Sequence, residues 1–150
     1  MKKFNFSMET ILRYRDQLLE ARQIEHATAL AQVREKEAVV ASLREKFHEV
    51  NEEYRERKAT GMTIADAYGF ELALQTQEDE IKKALEILAQ CRMEEEKRRA
   101  AVIAAKTDKA VLEKLKEKKI DSYRKAVQKS EEQFIDEFVS TARVMAGAVH

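Results

Sequence analysis

The stretch Ala59-Thr60-Gly61-Met62-Thr63-Ile64-Ala65-Asp66 is the one clear interruption in a 150-residue chain that otherwise carries little turn chemistry. Gly61 can take the positive φ that ends a helix. Thr63, with Asp66 three residues on, has the layout of a capping box in which Asp stands where Glu is usual. One helix therefore ends here and another begins, with Tyr68-Gly69 making the new start irregular. The whole chain holds three Gly and no Pro, the residues on which turns depend most. Charged residues make up 37% and apolar residues 44%. At helical spacing, that is the composition of long helices rather than of a disordered chain.

Upstream of the break a seven-residue ladder runs through Leu12, Leu19, His26, Val33, Val40, Phe47 and Tyr54. The companion positions three residues on include Ala29, Leu43 and Val50, but also Arg15, Arg22 and Lys36. This is an imperfect coiled-coil seam. Its start is marked by Ser7 as N-cap, Glu9 for the helix dipole, and Phe6 with Ile11 as a hydrophobic staple. Downstream a second seam runs through Leu74, Ile81, Leu88, Glu95 and Val102, with Phe70, Ala84, Cys91, Ala105 and Leu112 beside it. Glu95 and Arg98 interrupt it. Past Leu112 and Leu115 the phase slips, as at a stutter, and the stripe continues as Ile120, Val127, Phe134, Phe138 and Met145.

These patterns predict an all-α fold: a long antiparallel two-helix coiled coil, a helical hairpin, forming a single domain over residues 1–150. Helix 1 is expected over about 7–58, a turn over about 59–65, and helix 2 over about 66–146. At 1.5 Å per residue the helices would span roughly 80 and 120 Å. Folding at residue 61 sets Leu12 near Leu112 and exhausts the N-terminus near residue 118. The C-terminal helix then overhangs by about 25 residues while keeping an apolar stripe. Five large side chains left in water forgo roughly 7–15 kcal/mol of burial. A hetero-partner is the favoured explanation, against a frayed helix or a homodimer contact.

Net charge is zero, from 28 basic and 28 acidic residues, but it is unevenly spread. Residues 16–53 are net −4 and 66–96 net −6, whereas 1–15 are net +3 and 106–129 net +5. In a hairpin the acidic stretches share the loop half and the basic ones the terminal half, which suggests electrostatic steering of the basic end.

Catalytic chemistry is hard to write. Three isolated glycines cannot form a phosphate-cradling loop. Glu45 and His48 have the Glu-x-x-His spacing of di-metal bundles, but no second copy exists, and a solvated polar pair is the plainer account. No cofactor or metal is expected. His26 reads as a tolerated polar seam residue that helps fix register, or else as a pH switch. Lone Cys91 reads as a small core residue. Basic Lys114–Lys119 has interleaved acids and no aromatic platform, so nucleic acid is not an expected partner. No run of about 18 apolar residues exists, so direct membrane insertion is not expected, and the N-terminus lacks the form of a secretory signal.

The two ends carry a resemblance. Phe4-Asn5-Phe6-Ser7-Met8-Glu9-Thr10-Ile11-Leu12-Arg13-Tyr14-Arg15 resembles the opening of the flagellar export protein FliJ family: Phe-x-Phe-x-Leu-Glu, an aliphatic pair, then Arg. Met8 replaces the usual Leu. Leu112-Glu113-Lys114-Leu115-Lys116-Glu117-Lys118-Lys119, then Tyr123, Glu132 and Asp136-Glu137-Phe138, is similar to the family's C-terminal pattern. These end motifs are more specific than the seams between them.

The resemblance implies a non-enzymatic stalk of the bacterial flagellar type III protein export apparatus, with the fold of a rotary-ATPase central stalk. Its implied partners are the hexameric export ATPase (FliI-like), the export-gate membrane protein (FlhA-like) and export chaperones. Its implied location is cytoplasmic, peripheral to the membrane at the flagellar base. The ATPase is expected to meet Phe4, Phe6, Ile120, Tyr123, Val127, Phe134 and Phe138. By the same resemblance the gate contact falls on Phe70, Leu74 and Ile81, unless these are core facing helix 1. The alternatives are a structural or prefoldin-like coiled-coil adaptor, the stalk of a virulence type III secretion system, or a di-metal helical enzyme.

Overall fold

The computed structural model describes residues 2–149, with side chains through residue 147. It contains two helices, α1 (Glu9–Thr60) and α2 (Ile64–Val149), packed against each other as an all-α helical hairpin. The connection is shorter than expected, Gly61 to Thr63 alone. α1 continues through Thr60, whose hydroxyl donates to the carbonyls of Glu56 and Arg57 at 3.3 Å each and so occupies acceptors that a helix end leaves open. Gly61 then takes φ 101°, the only positive φ among the described residues. Thr63 opens α2 as its cap: its side-chain oxygen accepts the Asp66 N–H at 3.1 Å and its carbonyl the Ala67 N–H at 3.0 Å.

The other helix start differs from expectation. Ser7 does not cap α1. A turn from the Phe6 carbonyl to the Glu9 N–H (3.1 Å) comes first, and Met8 supplies the carbonyl that accepts Leu12 N–H at 2.9 Å. Phe6 is buried, while Ile11 keeps 44% of its surface in solvent.

The chain forms two compact units, Met1–Leu19 with Ala105–His150, and Glu20–Ala104. In the second, α1 and α2 meet along the expected seams. Val33, Val40 and Leu88 form the core cluster, with Ala84 and Cys91 packed against it, and Ala29 and Tyr54 are buried further along. Phe47, Leu74, Ile81 and Val102 are half-buried. No side chain is enclosed below 2% exposure among the described residues, because two helices can cover a seam from only two sides.

The two polar seam residues turn out to be partners. His26 Nε2 lies 2.9 Å from Glu95 Oε1, and Arg99 grips the same carboxylate with Nε at 3.2 Å and a terminal nitrogen at 2.6 Å. Glu95 is 8% exposed, the one charged residue buried among the described residues. Arg99 first, and then His26, hold its carboxyl below the ordinary glutamate range against the opposing push of burial. Beside it Arg98 joins Glu94 at 2.8 Å on its own helix and Glu25 at 3.2 Å on the other.

Leu88→Ala, at the best-covered seam position, is expected to lower stability by about 2–4 kcal/mol in chemical denaturation, the cost of a buried leucine's contacts and the space left behind. The Glu95 cluster sets an acid limit. A depressed folded-state pKa contributes stability above the ordinary glutamate value, and this is lost as pH falls through the depressed one. Thermal melts across the acid range should fall more steeply for the wild-type chain than for Glu95→Gln, which starts lower at neutral pH.

Candidate docking end

In the terminal unit α1 and α2 pack through Phe6, Leu19, Ala105 and Leu112, all buried, with Leu12 and Leu115 half-buried. Cross-helix ion pairs flank this seam: Arg15 with Asp108 at 3.3 Å, Lys109 with Asp16 at 2.7 Å, and Lys116 with Glu9 Oε2 at 2.8 Å. The last is a charge contact without hydrogen-bond alignment. Asp16 above all raises the Lys109 ammonium's pKa from its ordinary value. These pairs are partly solvated, so each adds little to stability and serves register more.

Before Glu9 the chain is not helical, but it keeps running along α2: Glu9 meets Lys116 and Lys2 meets Tyr123, seven residues against seven. The non-helical segment therefore carries the cover on to Tyr123, past the expected end near residue 118. The Tyr123 hydroxyl donates to the Lys2 carbonyl at 2.7 Å, and the Phe4 and Tyr123 rings meet at 5.5 Å between centroids, tilted by 57°.

Beyond this clasp α2 runs on uncovered. Val127 is half-buried, and every residue from 128 to 147 is exposed. Phe134 shows 71% of its surface, Phe138 68%, Met145 66% and Ile135 58%. Val127, Ser130, Glu131, Phe134 and Ile135 line a shallow groove on this bare helix.

The seven residues assigned to one surface thus fall into three settings. Phe6 is inside the packed end. Phe4, Ile120 and Tyr123 form its half-buried rim, and Val127, Phe134 and Phe138 run outward from it. Near the turn, Phe70, Leu74 and Ile81 are all half-buried. Phe70 stacks on Tyr54 at 5.2 Å and lies under Arg57 at 5.6 Å, and Tyr54 donates to Glu71 at 3.1 Å. The residues that point outward there are Ile64, Tyr68 and Leu72, exposed by 90%, 65% and 55%. Their four-residue spacing was a usable sequence signal for a second exposed stripe. Glu45 and His48 are both exposed, no cluster of three potential metal ligands occurs among the described residues, and no described helix is long and apolar enough to cross a membrane.

A family model for the flagellar FliJ protein matches residues 4–144. The chain belongs to the FliJ family. The match runs from the Phe4 clasp almost to the end of the bare helix. It is accordingly a component of flagellar protein export. Comparison with curated proteins and with solved structures gives no match.

A bare helix of some 20 residues is marginal alone, and the FliJ-family end should show it. In hydrogen exchange, amides of residues 130–147 should exchange orders of magnitude faster than those around Val33, Val40 and Leu88.

Proposed function

We propose that this FliJ-family chain is a non-enzymatic coupling stalk whose bare C-terminal helix docks into the hexameric export ATPase. The observation that carries this reading is the exposed run 128–147 with Phe134 and Phe138 in solvent. Five large apolar side chains, Phe134, Ile135, Phe138, Val144 and Met145, are all more than half exposed. At about 1.5–3 kcal/mol each, their burial could supply roughly 7–15 kcal/mol, enough to drive association after its entropic costs.

In this reading Val127, Phe134 and Phe138 enter the ATPase, Phe4, Ile120 and Tyr123 meet its mouth, and Phe6 supports them from behind. The contact with the export gate falls near the turn, where Phe70, Leu74 and Ile81 hold the hairpin and present the neighbouring surface. Handling of export chaperones, and peripheral residence at the membrane face of the flagellar base, follow from the same role.

The purified chain should raise ATP hydrolysis by the cognate export ATPase and hydrolyse none alone. Phe134→Ala with Phe138→Ala should abolish that stimulation with helicity by circular dichroism unchanged. Stimulation that survives the double change removes residues 128–147 as the docking surface.

A further inference from the structure

The groove over Val127, Phe134 and Ile135 on the bare helix contains one charge. Glu131 lies one turn after Val127 and one turn before Phe134 and Ile135, and it lines the shallow groove with all three. Its near neighbours on the helix, Val127, Gln128, Phe134 and Ile135, include no cation. Among the described residues it has neither hydrogen bond nor ion pair. Glu132, the adjacent carboxylate, is satisfied differently, accepting from Gln128 at 3.3 Å on the flank of the stripe. In the free protein an exposed carboxylate costs nothing. Once Phe134 and Ile135 are covered, the same surface desolvates Glu131 with them, and an unpaired buried carboxylate would offset much of the gain from the two apolar side chains.

We infer that the occupant of this face is a protein wall that is apolar around Phe134 and Ile135 and presents a basic side chain to Glu131. Charge complementarity sets its chemistry. Residues 130–147 carry four carboxylates and one guanidinium, so the bare segment is acidic although residues 106–129 are basic. The receiving wall is therefore basic at depth and acidic at its mouth. A guanidinium suits the inner position best, being weakly hydrated and able to grip a carboxylate with two parallel bonds. The inference rests on the docking reading above and gives that surface its specificity-determining residue.

The test compares Glu131→Leu and Glu131→Arg in the full chain, by titrating labelled protein against the ring-forming export ATPase. Phe134→Ala with Phe138→Ala is measured in parallel. Leu adds apolar area and keeps helix propensity, so a purely apolar wall would bind Glu131→Leu as well as or better than wild type. A wall with a cation should bind it at least about tenfold more weakly, and Glu131→Arg more weakly still. Wild-type or tighter binding by Glu131→Leu overturns the inference. If that occurs while the double Phe change abolishes binding, the docking surface stands and only its cation falls. If the double Phe change leaves binding intact, the docking reading falls and the inference with it. Concentration-dependent dimerisation of the isolated chain that Glu131→Arg disrupts would make a second copy the occupant, and would also overturn it.

Discussion

Two helices in water hold each other only where each offers the other an apolar stripe, and in this chain that stripe is about one side chain wide. Val33, Val40 and Leu88 with Ala84 and Cys91 are typical of it. A third layer would close such a seam. Here none exists, and no described residue is fully enclosed. Stability is therefore spread along the contact in small increments. A seam of repeated, similar residues is also nearly indifferent to sliding by one heptad, so something other than apolar area has to choose the register. The His26–Glu95–Arg99 cluster meets that need. Sliding by a heptad would keep Arg99, which is on the same helix as Glu95, but would set Leu or Val where His26 stands, leaving the carboxylate short of its cross-helix partner.

The hairpin was legible because its signals are local. The Gly61 break, the Thr63 cap and both heptad ladders sit in consecutive residues, and each is realised. Even the predicted opposition of Leu12 and Leu112 is close, since Lys109 meets Asp16 and Lys116 meets Glu9. What escaped is pairwise. His26 and Glu95 each looked like a flaw in its own helix, and the opposition of Leu12 and Leu112, continued along the helices, falls at residue 98 for His26 rather than at Glu95. An antiparallel pair tilts its side chains in opposite directions, each toward its own N-terminus. Long polar groups therefore reach partners almost a turn away from the residue directly opposite. A register estimate good to one turn cannot resolve which carboxylate an imidazole meets.

The docking end shows a similar limit. Its apolar stripe was readable, and the length difference between the helices made it unpartnered on arithmetic alone. The position where cover stops was not, because Lys2 to Met8 lie outside the helix yet still run along α2. The tyrosine that ends the cover, Tyr123, donates its hydroxyl hydrogen bond to a backbone carbonyl, a partner that has no signature in sequence. Likewise Phe6 and Phe134 are indistinguishable as residue types. Only the fold separates the one that is buried from the one that is bare.

The bare segment owes its helicity to the hairpin it extends. Starting a helix in water fixes several residues before the first bond repays them, whereas adding a residue to an existing helix costs little. Within the terminal unit, the packed length from Ala105 to Val127 supplies that nucleus, braced by Phe6, Leu112 and the Tyr123 clasp. Residues 128–147 can then propagate without a nucleation cost, although nothing packs against them. A partner that binds this end meets a helix largely formed, with Phe134 and Phe138 already on one side, and so spends less of its binding free energy on ordering. The same packing that buries Phe6 therefore keeps Phe134 exposed and in position.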